Sequence, residues 1–239
     1  MVVIPQGGPP PGSEFGAAPA KRSAGLGPRG PQAGVSTSGT RGVAAQGPAP
    51  TIVLARAHPA GVVELHLQSP DGQNRLSLEL LRELSASPAA HPAARRFLLT
   101  GNPRCFSVGA DLNQIAALDA PTAWRLAHAG QRCLDAIAAS PVPFVAAIAG
   151  YCLGGGLDLA LACRARVCAP AAYLGHHGAK LGLVTGWGGT QRLPRLIGSA
   201  RAIEHLLAAQ GWSAQAALAE GLVQAVCPSA ALISLASRI

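Results

Sequence analysis

The chain has 239 residues, a formal net charge of +8, 49% hydrophobic residues and 13% charged residues. This apolar share supports a buried core, so a wholly disordered chain is excluded, and the low charge excludes a coiled coil. The most apolar stretch, residues 143–162, is broken by four glycines and by Asp158. A membrane-spanning helix needs about 18 consecutive apolar residues, so we expect no membrane partner.

The composition changes near residue 50. Residues 1–50 hold 9 of the 20 prolines and 11 of the 29 glycines, and such a segment buries too little apolar surface to offset its conformational entropy. We therefore predict a disordered Pro/Gly-rich tail over residues 1–50 and a folded domain over residues 51–239. The four basic residues of the tail are scattered and do not form a nucleic-acid-binding cluster. We expect a cytoplasmic protein, or a mitochondrial-matrix protein if the tail is a transit peptide.

The folded part is mildly basic, with 15 Lys and Arg residues against 10 Asp and Glu residues. This excess suits an anionic ligand but does not select one. The six cysteines include no Cys-x-x-Cys pair. We therefore expect reduced, mostly buried thiols and no metal site.

Strands alternate with helices along the folded part. Residues 62–67 alternate between apolar and polar, which predicts a half-buried strand, and the apolar run at 144–149 predicts a strand covered on both faces. Ser77 is a residue type that caps helices, so we expect a helix to begin there. In chain order, the predicted elements are a strand at 62–67, a helix at 77–84, a strand at 96–100, a helix at 121–139, a strand at 144–149, a helix at 157–163, a strand at 166–168 and helices at 200–209 and 213–220. This order predicts an α/β domain built from β-α-β units.

Two glycine-containing turns lie where a predicted strand runs towards a helix. One is in segment 105–112, and the other, with Gly154, Gly155 and Gly156, is in segment 150–160. Glycine lets backbone N–H groups approach a ligand closely, and the start of a helix favours negative charge. Two such turns can aim two N–H donors at one oxygen and so form an oxyanion hole. The glycine triplet matches neither the dinucleotide-binding pattern nor a phosphate-binding loop.

Six segments together resemble the enoyl-CoA hydratase/isomerase (crotonase) superfamily. They are 74–77 (NRLS), 106–112 (FSVGADL), 143–163, 180–183 (KLGL), 186–195 (GWGGTQRLPR) and 213–223 (SAQAALAEGLV). The resemblance implies a crotonase-like α/β spiral of β-β-α repeats that binds acyl-CoA thioesters as trimers or hexamers, with coenzyme A as part of the substrate and no separate cofactor. Family members continue past the position where this chain stops, Ile239. We therefore expect the C-terminal helical region to be missing and the assembly to be weakened.

The resemblance also implies the site residues. By position, the oxyanion donors are the N–H groups of Ala110 and Gly155, and Asp158 takes the place of the first catalytic acid. The second acid is missing, because Gly178 stands where family hydratases carry a glutamate. The implied substrate-binding set consists of Asn74, Arg75, Leu76, Val108, Asp111, Leu112, Gly154 and Gly178. For Asp111 a structural role as a turn or cap residue is favoured.

The polar candidates also have structural interpretations. For Asp158 the alternative is an ion pair with Arg164 or Arg166, and the family position favours catalysis. His176 and His177 immediately precede the missing acid, and an imidazole can act as an acid or a base. We nevertheless expect two loop histidines that face solvent or make local hydrogen bonds.

The predicted function is an acyl-CoA thioester enzyme of the hydratase/isomerase type, which stabilises an enolate in an oxyanion hole. With one carboxylate, a proton shuttle across an allylic position is simpler than hydration, which needs an activated water and a second proton donor. Two alternatives stay open: a crotonase-fold protein that binds acyl-CoA or RNA without catalysis, and an enzyme for acyl groups on a carrier protein. RNA binding is disfavoured because Lys180 is the only lysine outside the tail.

Overall fold

The computed structural model describes residues 2–3, by their backbone alone, and residues 49–239. The tail predicted for residues 1–50 lies almost wholly outside the described residues and stays a prediction. In the described part the strands are β1 (Val2–Val3), β2 (Ile52–His58), β3 (Val62–Gln68), β4 (Arg96–Thr100), β5 (Cys105–Ser107), β6 (Phe144–Ile148), β7 (Tyr151–Leu153), β8 (Ala165–Cys168), β9 (Tyr173–Gly175), β10 (Leu183–Val184), β11 (Gly211–Ser213) and β12 (Ala225–Val226). The α-helices are α1 (Leu78–Ala90), α2 (Leu112–Ala116), α3 (Ala120–Ala138), α4 (Gly155–Ala162), α5 (Gly189–Ile197), α6 (Ser199–Ala208), α7 (Ala214–Ala219) and α8 (Leu232–Ala236). Short 3-10 helices cover Pro59–Gly61, Gly178–Leu181 and Ser229–Ala231.

Two sheets organise the described residues, apart from the small β1–β10 pair. The larger sheet has the order β12-β8-β6-β4-β3-β2, with parallel neighbours except for the antiparallel β2–β3 hairpin. The smaller sheet has the order β11-β9-β7-β5, in which β5, β7 and β9 are parallel. Strand β6 is buried along its whole length, as its apolar sequence predicts for a strand covered on both faces.

The predicted helices and strands all have counterparts in the described part. Helix α1 begins after Ser77, whose Oγ accepts a hydrogen bond from the Leu80 N–H at 3.1 Å, so the predicted cap is confirmed. Helix α3 packs against α1 and places its apolar face, with Leu134 and Ile137, in the main core. No helix within residues 49–239 is long and apolar enough to cross a membrane. The six cysteines are free, and five of them are buried.

One strand differs from its prediction. Strand β3 was predicted to be half-buried, but its polar residue Glu64 is only 2% exposed. The Glu64 carboxylate accepts hydrogen bonds from Thr100 at 2.7 Å and, with a suitable tautomer, from His58 at 2.9 Å. The alternating pattern suggested solvent on the polar face, whereas neighbouring strands supply polar partners that compensate for burial.

Candidate active site

Two turns of the smaller sheet meet at one edge. Strands β5 and β7 are parallel neighbours, and the chain after each strand enters a turn that leads to a helix. Gly109 lies in the first turn with a φ of 87°, and Gly154 lies in the second with a φ of 52°. A Cβ atom on Gly109 would lie 2.5 Å from the backbone nitrogen of Gly155. The absence of a side chain therefore lets the two turns approach by their backbones.

The N–H groups of Ala110 and Gly155 are the free donors at this approach. A Cβ atom on Gly155 would lie 3.5 Å from the nitrogen of Ala110, so the two nitrogens are close in space. Within residues 49–239 neither group donates a hydrogen bond to another backbone. Gly155 is the first residue of α4, where an N–H group lacks an intrahelical acceptor and the helix dipole favours negative charge. Two such donors suit an oxygen atom that gains negative charge.

A cavity of about 680 Å³ opens beside the two donors. Its volume lies within the range of small-molecule sites, and its wall includes apolar side chains such as Leu126, Leu153 and Leu206. Nine of the eleven residues predicted from sequence line this cavity, namely Arg75, Val108, Ala110, Asp111, Leu112, Gly154, Gly155, Asp158 and Gly178. The structure therefore brings most of the predicted site together.

Asp158 lies in the first turn of α4 and is only 1% exposed. The hydroxyl of Thr185 donates a hydrogen bond to its Oδ2 atom. Its Oδ1 atom lies 3.3 Å from Nε2 of His176. Within the described part of the chain, both Oδ1 and Nε2 are buried without a hydrogen-bond partner. The cavity wall thus holds a carboxylate, an imidazole and a hydroxyl in contact.

The sequence profile of the enoyl-CoA hydratase/isomerase family matches residues 57–238. The chain belongs to this family. An enoyl-CoA hydratase from Bacillus anthracis is 34% identical, with a TM-score of 0.72, and the match covers 78% of this chain and 75% of that one. DspI from Pseudomonas aeruginosa is 30% identical, with a TM-score of 0.73 and coverage of 82% and 81%. An enoyl-CoA hydratase from Thermoplasma volcanium is 28% identical, with a TM-score of 0.73 and coverage of 78% and 76%. The crotonase-like α/β fold is confirmed.

This family member does not pair Asp158 with a nearby arginine. Among residues 49–239 no ion pair joins Asp158 to Arg164 or Arg166, the structural alternative considered from sequence. The guanidinium of Arg166 is buried, which lowers its pKa, and it donates to the backbone carbonyls of Ala160, Cys163 and Leu222. The Asp158 carboxylate is therefore left to Thr185 and His176.

His176 corrects the expectation of two loop histidines. It follows β9 directly and is 4% exposed, because its side chain enters the cavity wall instead of facing solvent. Burial lowers the pKa of His176, Asp158 acts in the opposite direction, and His177 lowers it further. His177 itself stacks on Tyr173 with ring centroids 5.8 Å apart. The sequence signal for His176 was its place two residues before Gly178, where the family carries an acid.

Gly178 keeps the predicted position beside the cavity but cannot simply be exchanged for the family's glutamate. A Cβ atom at this position would lie 2.7 Å from the carbonyl oxygen of Leu183. A distance below 3.0 Å requires a shift, and here the neighbour is backbone. The cavity wall at this point therefore has no space for a side chain on residue 178 unless the backbone shifts.

Asn74 and Leu76 are the two predicted site residues that do not line the cavity. Asn74 is fully buried, has a φ of 50°, and donates from Nδ2 to the carbonyls of Cys105 and Phe106, both at 3.1 Å. Leu76 is buried, and its N–H donates to the Gly109 carbonyl at 2.9 Å. Both residues therefore support the turn that carries Ala110.

Arg75 and Asp111 form a charged rim at the cavity. Asp111 caps α2 by accepting from the Asn113 N–H at 2.8 Å, so its predicted capping role is confirmed. Arg75 bonds to Asp71, and its Nε lies 3.9 Å from Asp111. The hydrogen bond from Arg75 lowers the pKa of Asp71 to about 2. Arg75 is therefore held at the rim by two carboxylates, those of Asp71 and Asp111.

Proposed function

We propose that the chain forms a thioester enolate from an enoyl-CoA and moves a proton on that enolate, as an isomerase or a hydratase. The observation that carries this proposal is the pair of free N–H groups, on Ala110 and Gly155, beside a cavity of ligand size. The thioester oxygen gains negative charge when the enolate forms. Two fixed donors stabilise that charge, and one such donor contributes about 2.7–4 kcal/mol in other enzymes.

Proton transfer in the proposed reaction depends on Asp158, directly or through a residue that its carboxylate contacts. Asp158 lies in the same helical turn as the Gly155 donor, and the residue lines the same cavity. An acid–base group must lie within reach of the carbon that loses its proton, and the enolate oxygen fixes that carbon near the donors. Isomerisation is the simpler reaction for this site, because one group can remove a proton at one carbon and return it at another.

We propose that coenzyme A is the part of the substrate that the rim of the cavity recognises, and that no separate cofactor is needed. Arg75 lies at the rim of the cavity and carries the positive charge that a phosphate group requires. The apolar wall, which includes Leu126 and Leu206, suits an acyl chain. The acyl-CoA would then extend from the charged rim to the oxyanion donors.

The test is incubation with crotonyl-CoA and, separately, with a 3-enoyl-CoA. The absorbance of the conjugated thioester reports both reactions, and mass spectrometry distinguishes addition of water from isomerisation. We expect conversion by the wild-type chain and loss of conversion in Asp158→Asn, with acyl-CoA binding retained as a thermal shift. Absence of any thermal shift with acyl-CoA, in a folded sample, would contradict the proposed function.

A further inference from the structure

We propose that His176 is the catalytic residue that carries the proton, and that Asp158 acts through it as a positioning residue. This inference rests on the proposed function, because it assigns roles at the same site. It reverses the roles expected from sequence, in which Asp158 meets the substrate and His176 lies in a loop.

The first support is the seclusion of Asp158. Its side chain is 2% exposed, and Oδ2 is already bonded to the Thr185 hydroxyl. Oδ1 is buried and faces Nε2 of His176 at 3.3 Å. A Cβ atom on Gly189, the first residue of α5, would overlap Oδ1. The carboxylate is thus enclosed by protein on both oxygens, which leaves it a poor direct base for a substrate carbon.

The second support is the orientation of the imidazole. Nε2 is the ring nitrogen that faces Asp158, and His176 lines the cavity. The two nitrogens of an imidazole lie on different edges of the ring. In the described part of the chain Nδ1, unlike Nε2, is not among the buried polar atoms that lack a hydrogen-bond partner, so we assign the proton transfer to Nδ1. A carboxylate next to Nε2 favours the tautomer with the proton on Nε2. Nδ1 then has a free lone pair, as in other enzymes where a buried aspartate orients a histidine base.

The electrostatics of the pair agree with this role. Burial lowers the pKa of His176, Asp158 raises it and His177 lowers it, and the net direction is downward. The imidazole is therefore neutral near neutral pH and can accept a proton. When it does so, the imidazolium lies beside the Asp158 carboxylate, which stabilises the new charge.

The proposed step is isomerisation of a 3-enoyl-CoA. Nδ1 of His176 takes a proton from the α-carbon, so a C–H bond breaks and an N–H bond forms. The electron pair of that C–H bond moves into the enolate, whose oxygen accepts hydrogen bonds from Ala110 and Gly155. The N–H bond then breaks as the proton returns to the γ-carbon, and the double bond ends conjugated with the thioester. No atom is gained or lost.

The variants that test this step are His176→Gln, His176→Ala and Asp158→Asn. Glutamine offers an N–H group to Asp158 but cannot carry a proton at the cavity. We expect each variant to lose about 100-fold or more of the isomerisation rate. The double variant with His176→Ala and Asp158→Asn should lose no more than the worse single variant, because the two residues act as a unit. Added imidazole should restore activity to His176→Ala but not to Asp158→Asn.

The matched control is His58→Ala. His58 also contacts a buried carboxylate, that of Glu64, at 2.9 Å, but it lies on β2 and does not line the cavity. The His58→Ala variant therefore measures the general cost of removing a histidine from a buried carboxylate, without a change in the residues that line the cavity. If His176→Gln and His176→Ala keep the rate of this control, Asp158 is the direct base and the inference is overturned, while the proposed function stands.

A readout without turnover completes the test. Nitrogen NMR of protein with isotope-labelled histidines should show His176 neutral near neutral pH and protonated on Nε2. In Asp158→Asn its pKa should fall further, because the carboxylate that raises it is gone while burial and His177 remain. A His176 that titrates like a surface histidine, or carries its proton on Nδ1, would overturn the inference. If the wild-type chain instead neither binds nor converts any acyl-CoA, the proposed function itself is wrong.

Discussion

The substitution Gly109→Ala tests the oxyanion hole directly. The new Cβ atom would lie 2.5 Å from the Gly155 nitrogen and 2.9 Å from the Leu153 carbonyl oxygen, both backbone atoms. These contacts must open to at least 3.0 Å, so one turn moves relative to the other and a donor leaves its position. Loss of one donor costs about 2.7–4 kcal/mol of transition-state stabilisation, which is a fall of about 100- to 1,000-fold in kcat.

The same substitution also strains the backbone, because Gly109 has a φ of 87°. A non-glycine residue with positive φ costs about 1–2 kcal/mol of folding stability. Gly182→Ala is the control for this cost, since Gly182 has a φ of 67° and its added Cβ atom would meet nothing within 4 Å.

The assay is exchange of the α-protons of a saturated acyl-CoA in deuterium oxide, which needs enolate formation but no water addition. We expect Gly182→Ala to lose stability and keep its exchange rate, and Gly109→Ala to lose both. Equal exchange rates in the two variants, with both folded, would refute the assignment of Ala110 and Gly155 as oxyanion donors.

Three further outcomes follow from the described geometry. Arg75→Ala should raise KM for an acyl-CoA by about tenfold, with kcat unchanged and no effect on an acyl-pantetheine, which lacks the nucleotide phosphates. Glu64→Gln should flatten the acid dependence of stability in urea unfolding. Burial raises the pKa of Glu64, but hydrogen bonds from His58 and Thr100 outweigh it, so the pKa in the folded state lies below 4.5. The stability that the Glu64 carboxylate contributes is therefore present above pH 4.5 and is lost as the pH falls through the pKa of the folded state. Gly178→Glu should lower stability by about 1–3 kcal/mol without restoring hydration, because its Cβ meets a backbone carbonyl; a hydratase rate above wild type would contradict this.

The two glycine turns could be predicted because their geometry depends on the backbone. Gly109 and Gly154 set positive φ angles, and the spacing to Ala110 and Gly155 is fixed by chain connectivity. Strands β5, β7 and β9 were not predicted, because segments of three residues are too short to show a period. Their parallel pairing, which brings the two turns together, comes from contacts distant in sequence.

The surroundings of Asp158 could not be predicted for the same reason. Arg164 and Arg166 are near in sequence, yet the Arg166 side chain donates to the carbonyls of Ala160 and Cys163 at the far end of α4. The actual partners are Thr185 and His176, which are 27 and 18 residues away along the chain. Helical periodicity gives the direction of Asp158 on α4 but does not identify the element that packs against it.

The absence of a side chain at position 178 and the position of the Asp158 carboxylate depend on the packing of the same segment, residues 183–185. A side chain at 178 would push on the carbonyl of Leu183, and Leu183 is two residues before Thr185. Because the Thr185 hydroxyl holds the Asp158 carboxylate, displacement of this segment would also disturb that hydrogen bond. A carboxylate at position 178 is therefore incompatible with an Asp158 side chain that is enclosed beside His176, because both depend on the position of this segment. The chain has the second arrangement, which is the one that the proposed role of His176 requires.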